Sequence, residues 1–324
     1  MRFALFSTQT SAPRPAVVDG ENLRPLEGLA SLDALLALDP AQRAAAVGRL
    51  GPPVPLAQAR LHAPLAPHKN VFCVGRNYLA HAEEGARARG EELTLPKVPT
   101  LFSKAPTAIA GPDATLHLDG AASHEYDWEA ELAAVIGTRC KNVREEDALG
   151  MIFGYTALND VSARDLQNAT TQWFKGKTLD DTCPLGPVLV SADEIGDVQN
   201  LEVMLRVNGE TKQRANTSSM IFSVARIVAY LSLGTTLEPG DIIATGTPEG
   251  VGFARKPPEF LKDGDVMEVE ISKIGILRSP VSISAPVAAR RANATPAVPV
   301  ATSSTASPGL AFTLSTIAAR QRRS

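Results

Sequence analysis

From residue 127 to residue 137 the chain reads Asp-Trp-Glu-Ala-Glu-Leu-Ala-Ala-Val-Ile-Gly. Side chains alternate across a β-strand, so Glu129 and Glu131 share one face, about 7 Å apart, and Trp128, Ala130, Leu132, Ala134 and Ile136 fill the other. The glutamate face continues into Ala133 and Val135, which the pattern buries. Further strands are expected at 3–6, 16–18, 70–74, 152–158, 241–244, 266–271 and 275–277, and Leu201, Val203, Leu205 and Val207 alternate ahead of an Asn208-Gly209 hairpin turn. Helical spacing is sparser. Ser31 is placed to cap a helix carrying Leu32, Leu35 and Leu36, a second helix after Pro40 closes near Leu50, and Val224, Ile227, Val228 and Leu231 mark a third. Ser162 with Asp165 reads as a capping box for a helix holding Arg164 and Gln167. Residues 81–92 are helical and densely charged, which suits a lid.

Composition narrows the class. A chain of 324 residues buries one large core or two smaller ones, and 44% apolar with 21% charged residues describes a globular protein. The division expected is a small unit at 1–64, a catalytic domain at 65–285 and a disordered Ala/Ser/Thr/Pro/Arg tail at 286–324. The tail holds five arginines and no acid, so taking its +5 from the net −3 leaves the remainder near −8. That balance gives no basic surface for nucleic acid. No apolar run reaches the roughly 18 residues of a membrane span, and the first residues are too weakly apolar for a signal peptide. Cys73, Cys140 and Cys183 form neither a zinc pattern nor a disulfide framework, so a cytoplasmic location is expected.

Three features carry chemistry. Glu129 and Glu131, aimed at one half-buried volume, need either a hard cation such as Mg²⁺, Mn²⁺ or Ca²⁺ or open water along an edge strand; the pattern alone leaves both open. His81 and Glu84, three apart on a helix, share a face and can activate a water, unless the helix is simply solvated. Asp160 ends an apolar strand, as a functional acid or as a turn closer. Gly176-Lys177-Thr178 is not a phosphate loop, because Thr171 stands where that motif needs glycine. The backbone amides of 245–252 are placed to approach an anion.

Taken in order, these stretches resemble the fumarylacetoacetate hydrolase family, in its shorter bacterial form of acylpyruvate hydrolases and hydroxymuconate isomerases. The resemblance rests on Gly75-Arg76-Asn77-Tyr78, residues 127–137, Gly154-Tyr155-Thr156 through Gln167, Gly176-Lys177-Thr178-Leu179-Asp180, Cys183-Pro184-Leu185-Gly186-Pro187, residues 216–222, 237–252 and Gly264-Asp265-Val266. It covers about 65–283. It implies an α+β, β-rich fold, a mixed β-sheet roll with a small N-terminal α/β domain, and a homodimer. It implies metal ligation by Glu129, Glu131 and Asp160, with Mg²⁺ first and Mn²⁺ or Ca²⁺ as alternatives. By the same resemblance His81 and Glu84 form the proton-transferring pair, Lys177 and Gln167 face the substrate oxygens, and Thr247 contacts the substrate carboxylate. Arg164 and Lys104 are weaker carry-overs to the substrate, with a structural role as the other reading.

The implied substrate is a small keto acid. Hydrolytic C–C cleavage of an acylpyruvate ranks first because the His81/Glu84 pair is intact. Keto–enol or double-bond isomerisation comes next and oxaloacetate decarboxylation third, since all three use one enolate. A non-catalytic binding protein on the same scaffold is the alternative from another class.

Overall fold

In the computed structural model the described residues are 1–284, so the expectation for the 286–324 tail lies outside them. The Ala130–Ile136 strand is buried at every position, and its two faces serve two cores. Trp128, Ala130, Leu132, Ala134 and Ile136 join Val203, Leu205, Met267 and Val269 in one; Ala133 and Val135 join Leu32, Leu35, Leu36 and Leu65 in the other. Each fully buried Leu or Ile contributes about 1.5–3 kcal/mol, so burial on both faces makes this strand the centre of the structure.

It lies within a twelve-stranded mixed sheet. Ile152–Asn159 and Ile242–Ala244 flank it antiparallel; Cys183–Ser191 follows Ile152–Asn159, and Val71–Gly75 and Thr100–Lys104 extend the other side. Arg2–Ser7 pairs with Cys183–Ser191 through Arg2↔Val190 and Phe3↔Leu189, so residues 1–64 contribute strands to the same sheet. A five-stranded sheet, Glu210–Asn216, Glu202–Val207, Val266–Ile271, Gly275–Ser284 and Leu116–Asp119, supplies the facing layer of the first core. The result is the β-rich mixed-sheet architecture expected from the sequence.

Local expectations fare unevenly. Ser31 Oγ accepts the Ala34 N–H at 3.1 Å and caps Leu32–Leu36. Asn208 and Gly209 both take positive φ, 51° and 79°, as a tight turn between paired strands requires. The helix after Pro40 ends at Val47, and Leu50 instead bridges to Leu26. The Ser162/Asp165 capping box does not form. Ser162 Oγ donates to the Asp160 carbonyl, Asp165 accepts from Ser123, and the helix Arg164–Asn168 starts from Ala163 without a side-chain cap. The final strand runs on to Ser284, because pairing with Leu116–Asp119 supports its second half. Cys73, Cys140 and Cys183 are free and buried. Among the described residues no helix is long and apolar enough to cross a membrane.

Candidate active site and metal centre

Strand register brings the acids together. Ala130 pairs with Asn159 and Glu131 with Leu158, so one further step sets Glu129 beside Asp160, whose N–H donates to the Glu129 carbonyl at 2.9 Å. Asn159 Oδ1 accepts the Glu129 N–H at 2.9 Å and fixes the turn. Glu129, Glu131 and Asp160 each offer a carboxylate oxygen within 4.8 Å of the others, all three buried.

Cations answer most of this charge. Lys177, last residue of the helix Phe174–Lys177, donates to Glu129 Oε2 at 2.8 Å and Asp160 Oδ2 at 2.7 Å. Lys104 Nζ meets Asp160 Oδ1 at 2.8 Å, and Arg164 Nη1 meets Glu129 Oε1 at 2.7 Å. Burial works to raise the Glu129 pKa, but Lys177 and Arg164 outweigh it and hold the group below its ordinary range. Burial works to lower the Lys177 pKa, and Asp160 and Glu129 outweigh that and raise it, so the ammonium keeps its proton. Glu131 is different. Among the described residues no cation lies against it; it accepts the Gly246 N–H at 2.7 Å, while burial, then Asp160 and Glu129, push its pKa well up.

Over the acids lies the helix Leu79–Arg89. His81 Nδ1 and Glu84 Oε1 are 3.0 Å apart. A carboxylate only accepts, so Nδ1 carries the proton and Nε2 keeps the lone pair that a base needs. Asn77, fully buried, ties this helix to the 245–252 loop: its Nδ2 donates to the Thr245 and Phe222 carbonyls at 2.8 and 3.0 Å. Gly246 sits at φ +101°, where a Cβ would lie 2.7 Å from Asn77 Cβ, so only glycine fits that approach.

His81, Glu129, Glu131, Arg164, Gln167, Lys177 and Thr247 all line one cleft of about 700 Å³. Thr247 Oγ1 accepts from Gln213 Nε2 at 2.8 Å, which leaves its own O–H to donate into the cleft. Gln167 Oε1 accepts from Arg164 Nη1 at 2.9 Å, which leaves its amide N–H groups likewise. Glu84 stands behind His81. Lys104 does not line the cleft: it is fully buried against Asp160, where it supplies a counter-charge, and it also donates to the Val161 carbonyl at 3.0 Å.

Residues 70–282 match the family described as fumarylacetoacetate (FAA) hydrolase C-terminal. The chain belongs to the fumarylacetoacetate hydrolase family. It is 46% identical over 232 residues to the oxaloacetate tautomerase YisK of Bacillus subtilis, covering 70% of this chain and 74% of that protein. The mitochondrial oxaloacetate tautomerase fahd2 of Xenopus laevis is 45% identical over 223 residues, 68% of each chain. Among solved structures, the fumarylacetoacetate hydrolase from Exiguobacterium antarcticum superposes with a TM-score of 0.75 at 36% identity, covering 88% of this chain and 100% of that one. The 5-carboxymethyl-2-hydroxymuconate delta-isomerase from Mycobacterium smegmatis gives 0.71 at 34% identity with the same coverage.

Members of the fumarylacetoacetate hydrolase family bind divalent metals, and the residues here fit one. Four buried carboxylates, Asp127, Glu129, Glu131 and Asp160, face three buried cations, Lys104, Arg164 and Lys177, and the unanswered charge falls on Glu131. Oxygens that already accept one hydrogen bond keep a second lone pair for a cation. Asp127 is the group that sequence reasoning missed. Its carboxylate accepts from Gly252 N–H at 2.7 Å, Phe253 N–H at 3.1 Å and Arg164 Nε at 2.8 Å, and so holds both the loop and the arginine in place. Its sequence signal was only its place at the head of the glutamate strand.

Proposed function

We propose that this chain interconverts the enol and keto forms of a 2-oxo dicarboxylate of the oxaloacetate kind. The supporting observation is the His81–Glu84 hydrogen bond in a cleft walled by Glu129 and Glu131, in a chain 46% identical to a protein named oxaloacetate tautomerase. In this reading His81 Nε2 takes the proton from C3, and the C–H electron pair forms the C2–C3 double bond as the carbonyl oxygen becomes an enolate. His81 then returns the proton to that oxygen, and the reverse sequence regenerates the keto form.

Glu84 keeps the imidazole in the tautomer that accepts at Nε2 and stabilises the imidazolium formed midway. The Lys177 ammonium sets positive charge beside the developing enolate. Thr247 O–H and the Gln167 amide supply donors for the substrate carboxylate. A divalent cation held by Glu129, Glu131 and Asp160 would supply Lewis-acid polarisation of the 2-oxo group.

A second reading is hydrolysis of an acylpyruvate, with His81 taking its proton from water. The cleft, at about 700 Å³, favours it by leaving room for a water and an acyl group beside the keto acid. One assay separates the readings: oxaloacetate enol decay, pyruvate release from an acylpyruvate and CO₂ release, each with Mg²⁺ or Mn²⁺. Enol decay without pyruvate or CO₂ supports the tautomerase; release of pyruvate from the acylpyruvate alone overturns it. The homodimer implied by the family belongs to the same proposal and is tested by light scattering.

A further inference from the structure

One cation in the cleft has no place in the reaction above. Arg76 lies at the end of the Val71–Gly75 strand with φ 57°, a left-handed conformation that non-glycine residues rarely adopt and that clusters at functional sites. Its guanidinium stacks over the Trp173 ring at 5.6 Å and, among the described residues, has neither a carboxylate nor a hydrogen-bond acceptor. The neighbouring Arg89 is already answered, since its Nε donates to Glu91 Oε2 at 2.8 Å. Both arginines line the cleft.

The ring under Arg76 is fixed from two sides. A Cβ on Gly75 would come 2.4 Å from Trp173 Cζ3, so the indole rests on bare backbone, and Phe102 meets it edge-on at 5.5 Å. Lys177 Nζ in turn lies 5.0 Å from the centre of the Phe102 ring. The two aromatic rings therefore form a wall with a cation at each end. Lys177 is held by the acids of the reaction centre. The charges that bear on Arg76 are those of Arg89 and Glu91.

We infer that Arg76 is a specificity-determining residue that receives the substrate's second carboxylate, with the carbon arm lying along Phe102 and Trp173. Stacking occupies one face of the guanidinium and leaves its edge N–H donors for a bidentate carboxylate. The inference rests on the isomerase reading for the identity of the substrate's other end.

The test compares wild type, Arg76→Gln and Arg76→Lys on a metal-loaded enzyme, using a 2-oxo diacid and the same acid with its distal carboxylate converted to an amide. Loss of one charge-assisted contact should raise KM for the diacid roughly 10- to 100-fold in Arg76→Gln. The expected kcat, and KM for the amide, stay within about twofold of wild type, and Arg76→Lys recovers part of the loss. Equal changes for diacid and amide, or an unchanged KM for the diacid, would overturn the inference. Calorimetric titration with an unreactive 2-hydroxy diacid and its distal amide separates this from the isomerase reading. If wild type turns over no 2-oxo acid, that reading falls. Weaker binding of the 2-hydroxy diacid alone by Arg76→Gln still supports the subsite, and equal binding sinks it.

Discussion

The Gly250 N–H donates to both carboxylate oxygens of Glu84, at 3.1 and 2.9 Å, across 166 residues of sequence. The same carboxylate holds His81 Nδ1, so the loop sets the angle at which the imidazole enters the cleft. His81→Ala should lower kcat about 10²- to 10⁴-fold, the usual contribution of a positioned acid–base group, with a smaller change in KM. Glu84→Gln should act in the same direction but more weakly, since an amide can still accept from Gly250 but no longer stabilises imidazolium. Steady-state kinetics on oxaloacetate enol decide this; an unchanged kcat in His81→Ala removes it as the base.

Glu131 makes the metal-free protein sensitive to pH. Its folded pKa lies well above the ordinary 4.5, because burial, Asp160 and Glu129 disfavour the anion. Between the ordinary value and the raised one the folded state binds more protons than the unfolded state, so stability falls as pH rises through that window. Glu131→Gln should flatten this fall and raise the melting temperature of the EDTA-treated protein by about 2–4 °C, or ~1 kcal/mol, at neutral pH. The same variant should lose Mn²⁺ binding by calorimetry. Metal binding to the wild type should release protons and tighten with rising pH.

Asp127 is a structural anchor for Arg164 and the 245–252 loop. Asp127→Asn leaves the Arg164 guanidinium buried beside an amide and disturbs the acceptors for Gly252 and Phe253 N–H. Removing one partner from a buried pair costs roughly 3–5 kcal/mol, measurable by urea unfolding. Arg164→Met combined with Asp127→Asn should cost less than the two single changes added together, because the charges are coupled. Strict additivity would show that the pair is not energetically linked.

That Glu129 and Glu131 share one face was legible from the period-two pattern, whereas their grouping with Asp160 as a cation site came from the family resemblance; the structure brings oxygens of the three within 4.8 Å of one another. Their burial was not legible, since it depends on sheet order and on the layer packed above. The loop 245–252 was read as able to approach an anion, and its amides meet carboxyl groups. They are the protein's own: Glu131 at Gly246, Glu84 at Gly250 and Asp127 at Gly252. Asp127 escaped notice because, the adjacent Trp128 N–H apart, its partners lie 37 to 126 residues away and only topology unites them. Lys104 was a weaker carry-over with a substrate or a structural role open to it; it ends the Thr100–Lys104 strand, and its Nζ meets Asp160 Oδ1 at 2.8 Å, a pairing that no local pattern shows.

The most direct measurement follows the ultraviolet absorbance of oxaloacetate enol during its conversion to the keto form by purified protein, before EDTA, after EDTA, and after Mg²⁺ or Mn²⁺ is returned. The expected result is acceleration that EDTA abolishes, either metal restores, and His81→Ala and Glu131→Gln both lack. Conversion at the uncatalysed rate by the metal-loaded protein, or acceleration that EDTA leaves untouched, would contradict a metal-assisted tautomerase.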